Sequence, residues 1–316
     1  MTSIPRELPA ELYDEITSLL WNDFPSLKAC SLANRVLTAP SQKRLFHSLA
    51  LGHPHLQRNN KSRVRTSSDF YNLLAASPHI AEYVKSLHIL DFCSFSKLSS
   101  PSGFDDLPNV LGKESSLRYE NYRLENGEEI PDLDSRPVTS CNDDSNSAFE
   151  YWLPRDKFLP LFAPLLSNLK ALTLSYYGSW SLFTFRVLIS ILHLIQMPSL
   201  HHLRCNFPEE IALGENVKHL VWFARTTSNN ERFPLKLEHP PSKLVYLDTL
   251  YMDTPFPILR LQSPTSRIQT SRIQKLVIIY HWHSETQGRD ILLLLQCCRD
   301  TLVDLEFTLC RARRSL

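Results

Sequence analysis

Glycine is scarce in this chain, with 7 residues in 316. The catalytic motifs built on it are missing too. No glycine-rich phosphate loop occurs, and there is no Gly-x-Ser-x-Gly elbow and no His-Glu-x-x-His helix. Cysteine is odd in number, at 7, and irregularly placed, which excludes a disulfide framework. No Cys-x-x-Cys pair suggests zinc. Small buried thiols in a reducing compartment are the economical reading. A surplus of one charge sign is absent as well. Lys and Arg number 34 against 33 Asp and Glu, so net charge gives no bulk attraction to nucleic acid or membrane. The most apolar long stretch, Leu182 to Ile195, is interrupted by Arg186 and His193 and is too short to span a bilayer. No basic-then-apolar signal opens the chain, so the expected location is cytoplasmic or nuclear.

What is present is ordinary globular material, 43% apolar and 21% charged, enough for one large domain or two smaller ones. Two His-x-His pairs, His53/His55 and His281/His283, would share a strand face, but no carboxylate or cysteine completes a ligand set at recognisable spacing. The expectation is therefore no metal, no cofactor and no catalytic centre.

The N-terminal stretch is informative. Leu8-Pro9-Ala10-Glu11-Leu12 leads into Ile16 and Leu19-Leu20, which lie at helical spacing and make one apolar stripe. Pro9 suits a first helical turn. Asp23 and Pro25 look like the start of a second helix carrying Leu27, Cys30 and Leu32. Pro40 reads as opening a third, with Leu45, Phe46 and Leu49 on its buried side. So small a unit is marginal alone and must lean on a neighbour or bury its apolar face in a partner.

The order of these residues, through Leu27-Lys28-Ala29-Cys30-Ser31-Leu32-Ala33-Asn34-Arg35 to Arg44-Leu45-Phe46, resembles the F-box. That resemblance covers roughly residues 4–51. It implies docking onto a Skp1-like adaptor, and through it a cullin, by Leu8, Pro9, Leu12, Ile16, Leu19, Leu20, Leu27, Cys30 and Leu32. Residue numbers alone do not divide these between internal core and contact surface. Leu37 stands where relatives often carry Trp.

The rest of the chain carries a weak repeat. Val84-Lys85-Ser86-Leu87-His88-Ile89, Leu169-Lys170-Ala171-Leu172-Thr173-Leu174 and Leu200-His201-His202-Leu203-Arg204-Cys205 share one form: apolar, two variable residues, Leu, one variable residue, apolar. Four more begin at Val217, Leu247, Ile273 and Leu302. From Leu172 onward the central leucines are 31, 17, 30, 26 and 29 residues apart. Most of these steps lie in or near the leucine-rich-repeat range. A strand pattern that buries every second residue, followed by a returning segment, stacks in parallel on its neighbours. Helices are expected at 69–76, 158–166, 182–192 and 290–296, and only a loop or short turn between Leu203 and Leu220. The sequence thus predicts an α/β fold with a three-helix F-box-like unit at 4–51, a linker at 52–68, and an irregular leucine-rich-repeat solenoid with parallel strands at 69–316.

The segment from about 91 to 150 holds 13 Asp/Glu against 5 Lys/Arg and is expected to be a mobile acidic insertion. F-box followed by degenerate leucine-rich repeats resembles a large family of F-box proteins in mushroom-forming fungi. The implied function is substrate recognition for a Skp1-cullin-F-box type ubiquitin ligase, without catalysis by this chain. The alternative is an interaction solenoid whose N-terminal helices are only a cap. An unknown target protein would be met by aromatic residues at strand ends: Tyr176, Tyr177 and Trp180, or His281 and Trp282. Nucleic acid and membrane are not expected partners.

Overall fold

The computed structural model describes residues 9–21, 23–52, 64–91, 152–176, 183–205, 213–223, 244–253, 268–281 and 286–310. Three helices come first: α1 (Ala10–Leu19), α2 (Phe24–Ala33) and α3 (Arg35–Leu45). Asp23 starts α2, its carboxylate accepting from Ser26 N at 3.1 Å and Ser26 Oγ at 2.6 Å, with Pro25 in the first turn. A single residue, Asn34, separates α2 from α3. Its Oδ1 accepts the Val36 amide at 2.9 Å. Asn34 therefore opens the third helix, and Pro40 lies inside it, a correction to the sequence reading. The cap wins because its side chain satisfies an amide that the helix itself leaves unpaired.

Leu49 is a second correction. It belongs to β1 (Ser48–Gly52), where Leu49 and Leu51 alternate with Ser48 and Ala50. The sheet thus begins before residue 69. β2 (Val64–Arg65) pairs with β1, and α4 (Ser67–Ala76) and α5 (Ile80–Tyr83) lead into β3 (Ser86–Asp91). A 3₁₀ turn (Leu153–Arg155), α6 (Leu159–Phe162) and a second 3₁₀ turn (Ala163–Leu165) precede β4 (Ala171–Tyr176). The expected helix at 158–166 is thus two short pieces, as Pro160 and Pro164 dictate. Then come α7 (Phe185–Ile195), β5 (His202–Cys205), β6 (His219–Phe223), β7 (Val245–Tyr246), β8 (Thr249–Asp253), β9 (Ile268–Gln269), β10 (Lys275–His281), α8 (Thr286–Cys298) and β11 (Asp304–Cys310).

Nine strands form one sheet in the order β11-β10-β8-β6-β5-β4-β3-β1-β2, every neighbour parallel; β7 and β9 make a separate parallel pair. All seven repeat segments lie in this sheet, in register. Leu49, Leu87, Leu172, Leu203, Leu220, Leu250, Leu276 and Leu305 form one continuous row of cross-strand partners. Ahead of that row, Val84, Leu169, Leu200, Val217, Leu247 and Ile273 are completely buried. Two residues after it, Leu51, Ile89, Leu174, Cys205, Trp222, Met252 and Ile278 are buried on the same side. Phe70 and Leu74 of α4, Phe162 of α6, Val187 and Ile191 of α7, and Ile291 and Leu294 of α8 close over these rows in one continuous core.

Two further ladders tie each rung to the next. The residue just before each strand offers one carbonyl to two amides of the next rung. Lys85 O, for example, accepts from Lys170 N at 2.8 Å and Ala171 N at 2.9 Å. The pattern repeats at His47, Lys170, His201, Lys218, Asp248 and Gln274. One residue ahead of the first apolar position, polar side chains reach back to the preceding turn. Asn168 Nδ2 donates to Glu82 O at 3.3 Å, Ser199 Oγ to Ser167 O at 2.9 Å, Asn216 Nδ2 to Pro198 O at 2.7 Å and Thr301 Oγ1 to Ser271 O at 3.0 Å.

The short step between β5 and β6 brings a turn at Gly214 against the end of α7. A Cβ there would come within 2.7 Å of Ile195 O, so glycine is required by space. At the other end of the sheet β11 is an edge, and Leu305 and Phe307 remain 47% and 50% exposed. The leucine row should therefore grade in value. Leu250→Ala, at a completely buried position, is expected to lose about 2–5 kcal/mol in urea denaturation. Leu305→Ala is expected to lose about 1 kcal/mol or less. Equal losses at the two sites would contradict the row described here.

Candidate functional site

The most unusual surface is on the three N-terminal helices. Leu12, Ile16 and Leu19 follow one another along α1 at helical spacing, and all three side chains face outward; Leu19 is 82% exposed. Leu32 at the end of α2 is 79% exposed, and Val36 at the start of α3 is exposed as well. The face that α1 turns inward carries instead Thr17, fully buried, with Tyr13 and Leu20 half-buried. Thr17 Oγ1 donates to Asp14 O at 3.1 Å, which satisfies the hydroxyl locally. Trp21 is held at the end of this unit, its ring edge-on to His47 at 5.4 Å with the Arg44 guanidinium 5.9 Å over it.

The structure thus divides the residues that the sequence grouped together. Pro9, Leu12, Ile16, Leu19 and Leu32 are exposed, while Leu20 and Cys30 are half-buried. Leu27 is completely buried with Phe24 and is core of the helical unit, not contact surface, a correction to its assignment to adaptor binding. Leu37 is half-buried. Leu8 lies outside the described residues.

The aromatic residues proposed for a target fare differently. Tyr176 is fully buried, edge-on to Phe183 at 4.7 Å, so it packs the core and is withdrawn as a contact. The strand alternation explains this: Tyr176 falls on the inward parity set by Leu172 and Leu174. His281 ends β10. Tyr177, Trp180, Trp282, the side chain of His281, both His53 and His55, and all but Asp91 of the acidic segment at 91–150 lie outside what the structure describes. Among the described residues no group of three His, Cys, Asp or Glu converges as a metal site, and no helix is long and apolar enough to cross a membrane.

Sequence reading missed a buried acid pair. Asp91 ends β3, and its carboxylate accepts Trp152 N at 3.1 Å and Leu153 N at 3.3 Å, while Trp152 Nε1 donates to Leu90 O at 3.0 Å. Asp156 accepts the amides of Phe158 at 2.7 Å and Leu159 at 2.8 Å on one oxygen and the Ser67 hydroxyl on the other. These contacts join the end of β3 to the segment that re-enters the fold at Trp152. Burial pushes the Asp91 carboxyl up to about 7, against the pull of its two amide donors, and the Asp156 charge adds to the rise. Burial raises Asp156 too. The signal for Asp91 was a carboxylate directly after Leu87-His88-Ile89-Leu90, on the inward parity set by Leu87 and Ile89.

On the outward side of the sheet, His88 is pushed down to about 4, mainly by burial and then by Arg204, with Ser86 Oγ 3.0 Å from its Nε2. His202 and His219 stack at 4.3 Å with planes 8° apart.

No protein-family model matches the chain, and neither the curated proteins nor the solved structures compared with it give a match.

The acid pair has a pH signature. Asp91 binds a proton in the native state between the ordinary carboxylate range, near 4, and about 7, so its contribution favours folding at the low end and is lost as pH rises through that window. His88 works in the opposite sense between about 4 and the ordinary histidine value, because its native form is neutral. The comparison that isolates Asp91 is the wild type against Asp91→Asn. Wild-type stability relative to the variant should fall by up to about 1.4 kcal/mol per pH unit across the window, read from urea midpoints. A difference independent of pH would refute the assignment.

Proposed function

We propose that the chain is the substrate-recognition subunit of a Skp1-cullin-F-box type ubiquitin ligase, a non-catalytic receptor. The observation that carries this reading is the outward stripe of Leu12, Ile16 and Leu19 with Leu32 beside it. The ordered resemblance of this stretch to the F-box supplies the occupant, a Skp1-like adaptor, and through it a cullin. Burial of each such aliphatic side chain in a partner's groove contributes about 1.5–3 kcal/mol. Four of them make a strong anchor even after association costs.

In this reading the parallel sheet and the helices over one of its faces are an irregular leucine-rich-repeat solenoid. The in-register leucine row and the repeated carbonyl ladder support that assignment, because the strands of the main sheet, β2 at its edge apart, follow one another in sequence order. The outward sheet surface is where a target protein would bind. The chemical contribution is proximity: a bound target is held near a ubiquitin-charged enzyme at high effective concentration.

The test uses co-expression with a Skp1-type adaptor. The wild type is expected to co-purify with it. Ile16→Asp combined with Leu19→Asp should abolish the complex while leaving the melting temperature close to that of the wild type, since both side chains are exposed. Undiminished adaptor capture by this double variant would overturn the assigned face. Failure of the wild type to bind at all would return α1–α3 to the role of a cap.

A further inference from the structure

The row of residues that opens the strands holds three lysines and no acid over five consecutive rungs. Along the edge from β1 these are His47, Lys85, Lys170, His201 and Lys218; the next two rungs are Asp248 and Gln274. Their backbones are fixed by the carbonyl ladder, each accepting two amides from the following rung at 2.8–3.1 Å. At a strand spacing of about 4.8 Å the row is about 19 Å long. Lys170 and Lys218 are exposed, and His47, Lys85 and His201 are half-buried.

Among the described residues no carboxylate lies within ion-pairing distance of Lys85, Lys170 or Lys218. Glu82 acts on Lys85 from further off and offsets part of the charge. The contrast is Lys275, in the half of the sheet where the sign changes, which is tied to Asp304 at 2.6 Å. Within the row the lysines oppose one another, and His47 is held toward its neutral form. Burial and then Lys170 push the Lys85 ammonium down, and burial followed by Arg44, Lys85 and Lys170 does the same to His47. His202 and His219, stacked on each other, add two imidazoles at the start of the adjoining strands.

A net charge of +1 over the whole chain makes this a local concentration and not a general surplus. Like charges held on neighbouring strands destabilise the sheet unless something of opposite sign lies over them. A pre-spaced backbone row spares a polyanion the cost of ordering the main chain, leaving only the lysine side chains to be immobilised.

We infer that this strand-start row binds an acidic segment of a partner protein, a stretch of Asp and Glu side chains lying across the strands from β1 to β6. An extended peptide advances about 3.4 Å per residue, so about six residues cover the five rungs. A nucleic acid fits less well. Single-strand sites interleave exposed aromatic faces between the basic residues of their groove, and here Trp21 lies at one end of the row, edge-on to His47, not between the lysines. The inference concerns the sheet alone and stands whether or not the helical face docks an adaptor.

Fluorescence anisotropy with the full chain tests it. The probes are a fluorescein-labelled poly-glutamate peptide of about eight residues, the same peptide with Gln in place of Glu, and a single-stranded oligonucleotide of equal charge. The Glu peptide should bind, and binding should weaken with added salt. Lys85→Gln with Lys170→Gln and Lys218→Gln should raise its Kd at least about tenfold. Lys275→Gln, outside the row, should leave it unchanged, and thermal melting should show all variants folded. The inference is overturned if the Gln peptide binds equally, if the oligonucleotide binds more tightly, if the triple variant binds as the wild type does, or if no Glu-peptide binding is measurable.

Discussion

Register holds this molecule together. The strands of the main sheet have two to seven residues, too few to stand alone, and they are joined by segments of very unequal length. What makes them one structure is that every strand but β2 places its leucine opposite the leucine of the next rung. A slip of one residue in any strand would turn its leucine outward and its polar neighbour into the core. The carbonyl that accepts two amides just before each strand sets the starting position, and the side chains of Asn168, Ser199, Asn216 and Thr301 repeat that constraint one turn earlier. The positive row at the strand starts exists only because these devices align residues that are far apart in sequence.

The leucine rows were legible because spacing of the form apolar-x-x-Leu-x-apolar survives large variation in the intervening segments. Phe46-His47-Ser48-Leu49-Ala50-Leu51 has the same form and was passed over. Its first residue lies at the end of a helix, and helical spacing claimed Leu45, Phe46 and Leu49 before strand spacing could. Local apolar periodicity cannot decide between two periods when the run is short. Tyr176 was misread for a related reason. Aromatics at the end of a strand look like contacts unless the alternation is carried through to them, and two residues past Leu174 it still points inward.

The acid pair was illegible for a different reason. Asp91 and Asp156 are separated by 65 positions (156 − 91) in sequence. Neither belongs to a motif, and each gains meaning only from the backbone amides that the fold delivers to it. The same holds for the positive row: no window of sequence contains more than one or two of its members. Charge that is balanced along a chain can still be concentrated in space when a repeat brings one position of every unit to the same edge.

The helical unit inverts the usual distribution of polarity. Thr17 and Ser41 are fully buried, and the Ser41 hydroxyl has no hydrogen-bond partner, while Leu12, Ile16, Leu19 and Leu32 face outward. A unit arranged for its own stability would do the reverse. An unsatisfied buried hydroxyl costs about 1–3 kcal/mol, and each outward aliphatic side chain forgoes a comparable gain from burial. The small residues have a packing role: α1 lies directly against α3, where Pro40 and Ser41 are buried. Short side chains at that seam let the helices approach and leave the large ones no room inside. The α1 stripe is thus apolar by sequence and outward by packing. That conjunction favours docking over capping, since a cap would turn the same leucines toward the sheet it covers.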